Sequence, residues 1–230
     1  MPINTIVLVH GAFSDGSAWR KVIPLLTKRG LQAIAVQNPL SSLPDDAKSV
    51  HRALDALDRS VILVGHSWGG VVITEAGNHR HAKGLVYIAG GAPDSGQSIF
   101  DWWQGYASAA AFTEVVPYGE GYIALSREGV RKYLAQDLAA DEADLVYATQ
   151  APLAERCQTD RVTTAAWLSK PSWCLIATHD HVFSPALQQH AAERMGAEVL
   201  VLQSSHMPHL SQPDAVAGFI ANAAASIDDS

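Results

Sequence analysis

Cysteine is nearly missing from this chain of 230 residues: only Cys157 and Cys174 occur, and they do not form the CxxC spacing of a zinc or redox site. A disulfide-rich scaffold is excluded, and two free thiols in a reducing, cytoplasmic compartment are expected. Charge is sparse as well. Only 17% of residues are charged, the formal net charge is −7, and no basic cluster offsets that acidic balance. Nucleic acid is therefore not an expected partner. No apolar run reaches the roughly 18 residues that span a bilayer, and the N-terminus enters strand-like sequence with no basic segment before it. No membrane partner is expected.

What the chain has is apolar residues, at 48%, enough to fill one core at this length. They fall into strand-length runs at residues 5–10, 31–37, 61–65, 84–90, 173–178 and 198–203. Most are rich in Val, Ile and Leu and lack polar alternation, as strands covered on both faces should be. Amphipathic segments lie between them, at 19–29, 45–57, 68–78, 184–195 and 213–225. In residues 45–57, Ala47, Val50, Leu54 and Leu57 share one helical face. The alternation predicts an α/β fold with an open, mostly parallel sheet and helices on both faces.

Residues 98–168 break the rhythm. They contain no convincing strand, several aromatic residues, and a helical pattern at 126–138. The segment is too long for a connection, so it is expected to be a small helical cap on a core formed by residues 1–97 and 169–230.

In VILVGHSWGG, residues 61–70, a buried strand runs straight into a serine with glycines two positions to either side. GxSxG places a serine on a strained turn between strand and helix, where small neighbours let the backbone pass. A phosphate loop or a dinucleotide fingerprint would need GxxxxGK or GxGxxG, and neither occurs here. A serine hydroxyl needs a base to take its proton, and a carboxylate to orient that base. Downstream, Asp180 follows the strand at 173–178, and His206 follows the one at 198–203, so both fall on the same sheet edge as Ser67. Asp94, after the strand at 84–90, is the alternative acid, and His209 the alternative base.

With HGAFSDGSAW at residues 10–19, these motifs resemble the α/β-hydrolase superfamily, and within it the small serine esterases of the methyl-salicylate esterase and hydroxynitrile lyase-like group. The resemblance runs from the first strand to the last helix. It implies six parallel strands, with the family's first two absent, in the order 4-3-5-6-7-8 by family convention. It also implies Ser67 as nucleophile, Asp180 as acid, His206 as base, and the backbone N–H groups of Ala12 and Trp68 as oxyanion hole. The lyases of the group usually carry threonine where Gly11 stands and a lysine near the histidine. Neither is found here, which argues against cyanohydrin chemistry.

The expected pocket residues are Phe13, Trp102, Trp103, Phe112, Val182 and Met207, and the expected substrate is a small, uncharged, partly apolar ester. Neither cofactor nor metal is expected, since the histidines around Asp180 and His206 lack an HExxH pattern or cysteine partners. His10 is expected to orient the oxyanion loop by hydrogen bonding. A carbon–carbon hydrolase or cofactor-free lyase on the same triad, and a slow-turnover small-molecule receptor, stay open as alternatives. So do monomer and homodimer.

Overall fold

A computed structural model of the chain describes residues 3–106 and 110–227, so the ends of the expected core and residues 107–109 of the expected insertion lie outside it. Its strands are β1 (Thr5–Val9), β2 (Gln32–Val36), β3 (Val61–His66), β4 (Ala82–Ile88), β5 (Val115–Pro117), β6 (Tyr122–Leu125), β7 (Leu153–Ala154), β8 (Ser172–Ala177) and β9 (Glu198–Leu202). Its α-helices are α1 (Val22–Lys28), α2 (Leu43–Asp55), α3 (Trp68–Ala76), α4 (Ile99–Trp102), α5 (Arg127–Gly129), α6 (Ala140–Ala148), α7 (Pro185–Met195), α8 (Pro208–Ser211) and α9 (Pro213–Ala225). Among the described residues, no helix is long and apolar enough to cross a membrane.

Six strands form one parallel sheet in the order β2-β1-β3-β4-β8-β9. This is the expected order with strands counted from the chain's own start. Both faces of the four central strands are covered, and the two-residue period divides each of these strands between them, whereas the edge strand β9 leaves Val199 and Val201 exposed. Val7, Leu63, Tyr87 and Ile176 point into one apolar cluster, shared with α2, α3 and α7. Ile6, Ile62, Val86 and Leu175 point into the other, shared with α1 and α9. Each such fully buried side chain contributes roughly 1.5–3 kcal/mol, which is why the runs show no polar alternation.

Local signals fix the helices that frame the sheet. In α2, Ser42 accepts from the Asp45 N–H, Pro44 sits in the first turn, and Ala47, Val50 and Leu54 are buried on the expected face. Helix α7 starts on Ser184 with Pro185 behind it and ends on Gly196, whose φ of +59° is the left-handed closing conformation.

Residues 98–168 differ from the expectation in one respect. Besides α4, α5, α6 and a π-helical turn at Val130–Leu134, they carry a three-stranded antiparallel sheet, β5-β6-β7. Strands of three, four and two residues are too short to show a period, and Pro117 ends the first of them.

Candidate active site

The β3–α3 junction holds Ser67 at φ 53°, ψ −119°, a backbone state that residues other than glycine rarely adopt. The neighbouring glycines make the bend possible: a Cβ on Gly65 would lie 2.3 Å from the Gly69 carbonyl oxygen, and one on Gly69 would lie 2.3 Å from the Val9 carbonyl oxygen. Hydrogen bonds pin the turn. Ser67 N–H donates to the Ile88 carbonyl (3.2 Å), and the Ser67 carbonyl accepts from the N–H groups of Gly70 (2.9 Å) and Gly91 (3.0 Å).

Asp180 and His206 meet in the loops that follow β8 and β9. His206 Nδ1–H donates to Asp180 Oδ2 at 2.6 Å, and both side chains are buried. Asp180 Oδ1 accepts from the N–H groups of Val182 (2.7 Å) and Phe183 (3.0 Å), and Gln188 Nε2 donates to Oδ2 at 2.8 Å. Four donors thus hold the carboxylate, and a proton on His206 Nδ1 leaves the Nε2 lone pair available. Nε2 is buried and has no hydrogen-bond partner among the described residues. Phe183 packs edge-on against the His206 ring, with centroids 5.4 Å apart. The competing residues are engaged elsewhere or unpaired: Asp94 is taken by Arg194 and by the Ser95 N–H, and neither ring nitrogen of buried His209 has a partner among the described residues.

Ser67 and His206 line one cavity of about 480 Å³, within the usual size range of small-molecule sites. Ala12 and Trp68 line it too. As the first residue of α3, Trp68 presents a backbone N–H that no carbonyl of its own helix accepts. The loop bearing Ala12 is held by His10, whose Nδ1–H donates to the Gly11 carbonyl (2.9 Å) and whose Nε2 accepts from the Asn38 N–H (2.9 Å). This fits the orienting role expected of it.

Of the residues proposed for the pocket, Phe13, Trp103, Phe112 and Val182 lie on the cavity wall. Trp102 and Met207 do not. The Trp102 ring packs edge-on against Phe183 (5.2 Å), one helical step away from the lining Trp103, and Met207 is buried in the core just before α8. Sequence reasoning missed Ile123 and Leu125 on β6 and Leu153 on β7, which line the cavity from the small sheet. It also missed Gln136 and Asp137, which bond from residues 98–168 to the loops of Asp180 and His206: Gln136 Nε2 donates to the His179 carbonyl (2.7 Å), and Asp137 Oδ2 accepts from the Ser205 N–H (2.8 Å).

Behind His206 lies a stack of buried rings. His66 lies 4.9 Å from His206 and 4.3 Å from His209, and His209 lies 4.8 Å from Trp19. Burial lowers the pKa of His10 and of His66, the latter well below the usual imidazole range, and pushes His209 down to about 3. An unfolded chain protonates these rings near pH ~6.5 while the native one does not, so stability is lost as pH falls below that value. Asp46, raised to about 6 by burial, acts in the opposite direction between its ordinary 3.8 and 6. Three histidines oppose one carboxylate, so acid is expected to destabilise the fold. His209→Phe is expected to flatten the decline of unfolding free energy between pH 6.5 and 4, by up to about 1.4 kcal/mol per pH unit, and with it the decline of Tm. An unchanged slope in a thermal scan would count against that assignment.

An open parallel sheet with a strained serine at a strand's carboxyl end, facing a buried Asp–His pair, is the architecture of an α/β hydrolase. Residues 6–219 match the alpha/beta hydrolase family, and the chain belongs to it. It is 30% identical to alpha/beta hydrolase nvfD of Aspergillus novofumigatus, over 95% of this chain and 96% of that protein. It is 27% identical to a pyrethroid hydrolase of Sphingobium wenxiniae, over 96% of this chain and 88% of that protein. The crystal structure of polyneuridine aldehyde esterase has the same fold, with a TM-score of 0.83 at 20% identity over 96% of this chain and 99% of that one. The resemblance to small esterases read from the motifs thus holds.

Proposed function

We propose that the protein is a serine hydrolase that cleaves a small, uncharged carboxylic ester through an acyl-enzyme intermediate. The observation that carries this reading is the state of His206: Nδ1 is committed to Asp180, while Nε2 is unpaired in the cavity that Ser67 also lines. In this mechanism His206 Nε2 takes the Ser67 proton as Oγ attacks the ester carbonyl. The N–H groups of Ala12 and Trp68 hold the developing oxyanion. His206 then protonates the departing alkoxide, the acyl group stays on Ser67, and water activated by the same imidazole releases the acid. Residues 98–168 act as the cap of this site, and no cofactor enters any step.

The cavity wall supports the substrate class. Phe13, Trp103, Phe112, Ile123 and Leu153 are apolar, and among the described residues no Lys, Arg, Asp or Glu lines it. A charged substrate would lose its hydration without gaining a counter-charge. Gly11 supports ester over cyanohydrin chemistry, because a Cβ there would lie 2.9 Å from both His66 Nδ1 and Ser67 Cβ, leaving no room for a threonine side chain.

The test is to mix the enzyme with p-nitrophenyl acetate, p-nitrophenyl butyrate and a charged hemisuccinate ester, quench early turnover in acid, and map the adduct by mass spectrometry. One acyl group on Ser67, with the neutral esters preferred, is expected. Turnover with no adduct on Ser67 would overturn the mechanism, and preference for the charged ester would overturn the substrate class. Activity on β-diketones or cyanohydrins in place of esters would move the same residues to carbon–carbon bond cleavage.

A further inference from the structure

Asp46 is a fully buried carboxylate on α2, at 0% exposure, and among the described residues no Lys or Arg pairs with it. Burial raises its pKa to about 6 against the lowering effect of its hydrogen bonds. A leucine of similar size would avoid that desolvation, so what the carboxylate adds is direction. Its two oxygens face two different parts of the molecule. Oδ2 accepts from the indole Nε1–H of Trp68 at 2.7 Å, and Oδ1 accepts from the Leu40 N–H at 2.8 Å.

Both partners are themselves constrained. Trp68 follows Ser67 directly and lines the cavity. Leu40 has a φ of +56°, an uncommon state for a leucine, and its carbonyl accepts from the Ala154 N–H at 2.8 Å and the Cys157 thiol at 3.6 Å. Ala154 belongs to β7, which pairs with β6, and Leu153, Ile123 and Leu125 of these two strands line the cavity. One carboxylate therefore joins the residue after the serine to the bend gripped by the small sheet.

We propose that Asp46 is a positioning residue for ester cleavage: by holding the Trp68 indole and the Leu40 bend together, it fixes the Trp68 backbone N–H at the oxyanion and sets the small sheet over Ser67. The proposal rests on the serine-hydrolase reading. Asp46 touches no substrate; it acts through Trp68.

Two variants test it. Asp46→Asn keeps the shape, but its amide accepts at only one of the two positions. Trp68→Phe removes the indole N–H and leaves the carboxylate in place. A displaced oxyanion donor weakens the transition state more than the bound substrate, so each variant is expected to lose about 10- to 100-fold in kcat on p-nitrophenyl butyrate, with KM within about twofold. The double variant is expected to be no slower than the slower single, because both remove one link. Melting curves and circular dichroism identify a variant that fails to fold, and Trp68→Phe then carries the test.

Two folded single variants with kcat within about twofold of wild type, or losses confined to KM, would overturn the proposal. A lowered Tm with unchanged kcat would reduce Asp46 to a structural role. A fluorophosphonate that labels Ser67 of the wild type separates the two readings. No labelling means the hydrolase reading has failed, whereas normal labelling with an indifferent Asp46→Asn means that only this proposal has.

Discussion

Asp180→Asn is expected to lower kcat for p-nitrophenyl butyrate by about 10⁴-fold, and Ser67→Ala by about 10³-fold or more, both with the fold intact. For Ser67 the reason is the loss of the attacking oxygen. For Asp180 it is a proton in the wrong place, and the surrounding hydrogen bonds dictate which way the asparagine turns. Oδ1 sits against two backbone donors, the N–H groups of Val182 and Phe183, so the amide oxygen must occupy that side. The amide NH₂ is then driven to the Oδ2 side, facing His206 Nδ1 and Gln188 Nε2. His206 has to accept there, which moves its own proton to Nε2 and removes the lone pair that would deprotonate Ser67. Gln188 meets a second donor, so Tm is also expected to fall. A rate loss under about tenfold in steady-state kinetics would mean that Asp180 does not set the imidazole tautomer.

The same distances show what was legible in the sequence. A strand buried on both faces prints itself as an unbroken apolar run, as β1, β3, β4 and β8 do, and all six sheet strands lie within about two residues of the apolar runs read from the sequence. Gly65 and Gly69 mark the bend at Ser67 because only a missing side chain lets α3 cross that close to β1 and β3. Asp180 and His206 follow from strand order, since parallel strands bring their carboxyl ends to one edge.

The cavity wall was less legible. Trp102 and Trp103 are adjacent and chemically alike, yet only the second lines the cavity, a difference set by the phase of the four-residue helix α4. The small sheet was invisible because its strands depend on pairing with each other and have no period of their own. Asp46 carries no signal of its own at the start of the amphipathic segment 45–57. Its role depends on Trp68 and Leu40, 22 and 6 residues away, and no local pattern encodes that meeting.

Gly69→Ala is expected to lower kcat by about 100-fold or more and to lower Tm as well, whereas Gly218→Ala is expected to do neither. A Cβ on Gly69 would lie 2.3 Å from the Val9 carbonyl oxygen, 2.8 Å from that of His10 and 2.9 Å from the Val9 carbonyl carbon. All three are backbone atoms of β1 and the residue after it, so no rotamer change relieves the contact. Ordinary contact begins near 3.4 Å, and the start of α3 must move away from β1 by about 1 Å. Trp68 sits at that start, while Ala12 stays with β1, so the movement opens the space between the two N–H groups proposed for the oxyanion. An error of that size in a reacting geometry costs about 10² in rate. Gly218, inside α9, has nothing within 4 Å of its would-be Cβ. There alanine only restricts the unfolded chain and is expected to stabilise by about 0.5–1 kcal/mol. Near-wild-type kcat in a folded Gly69→Ala would show that the β1–α3 approach is slack, and that the rate does not depend on the spacing of Ala12 and Trp68.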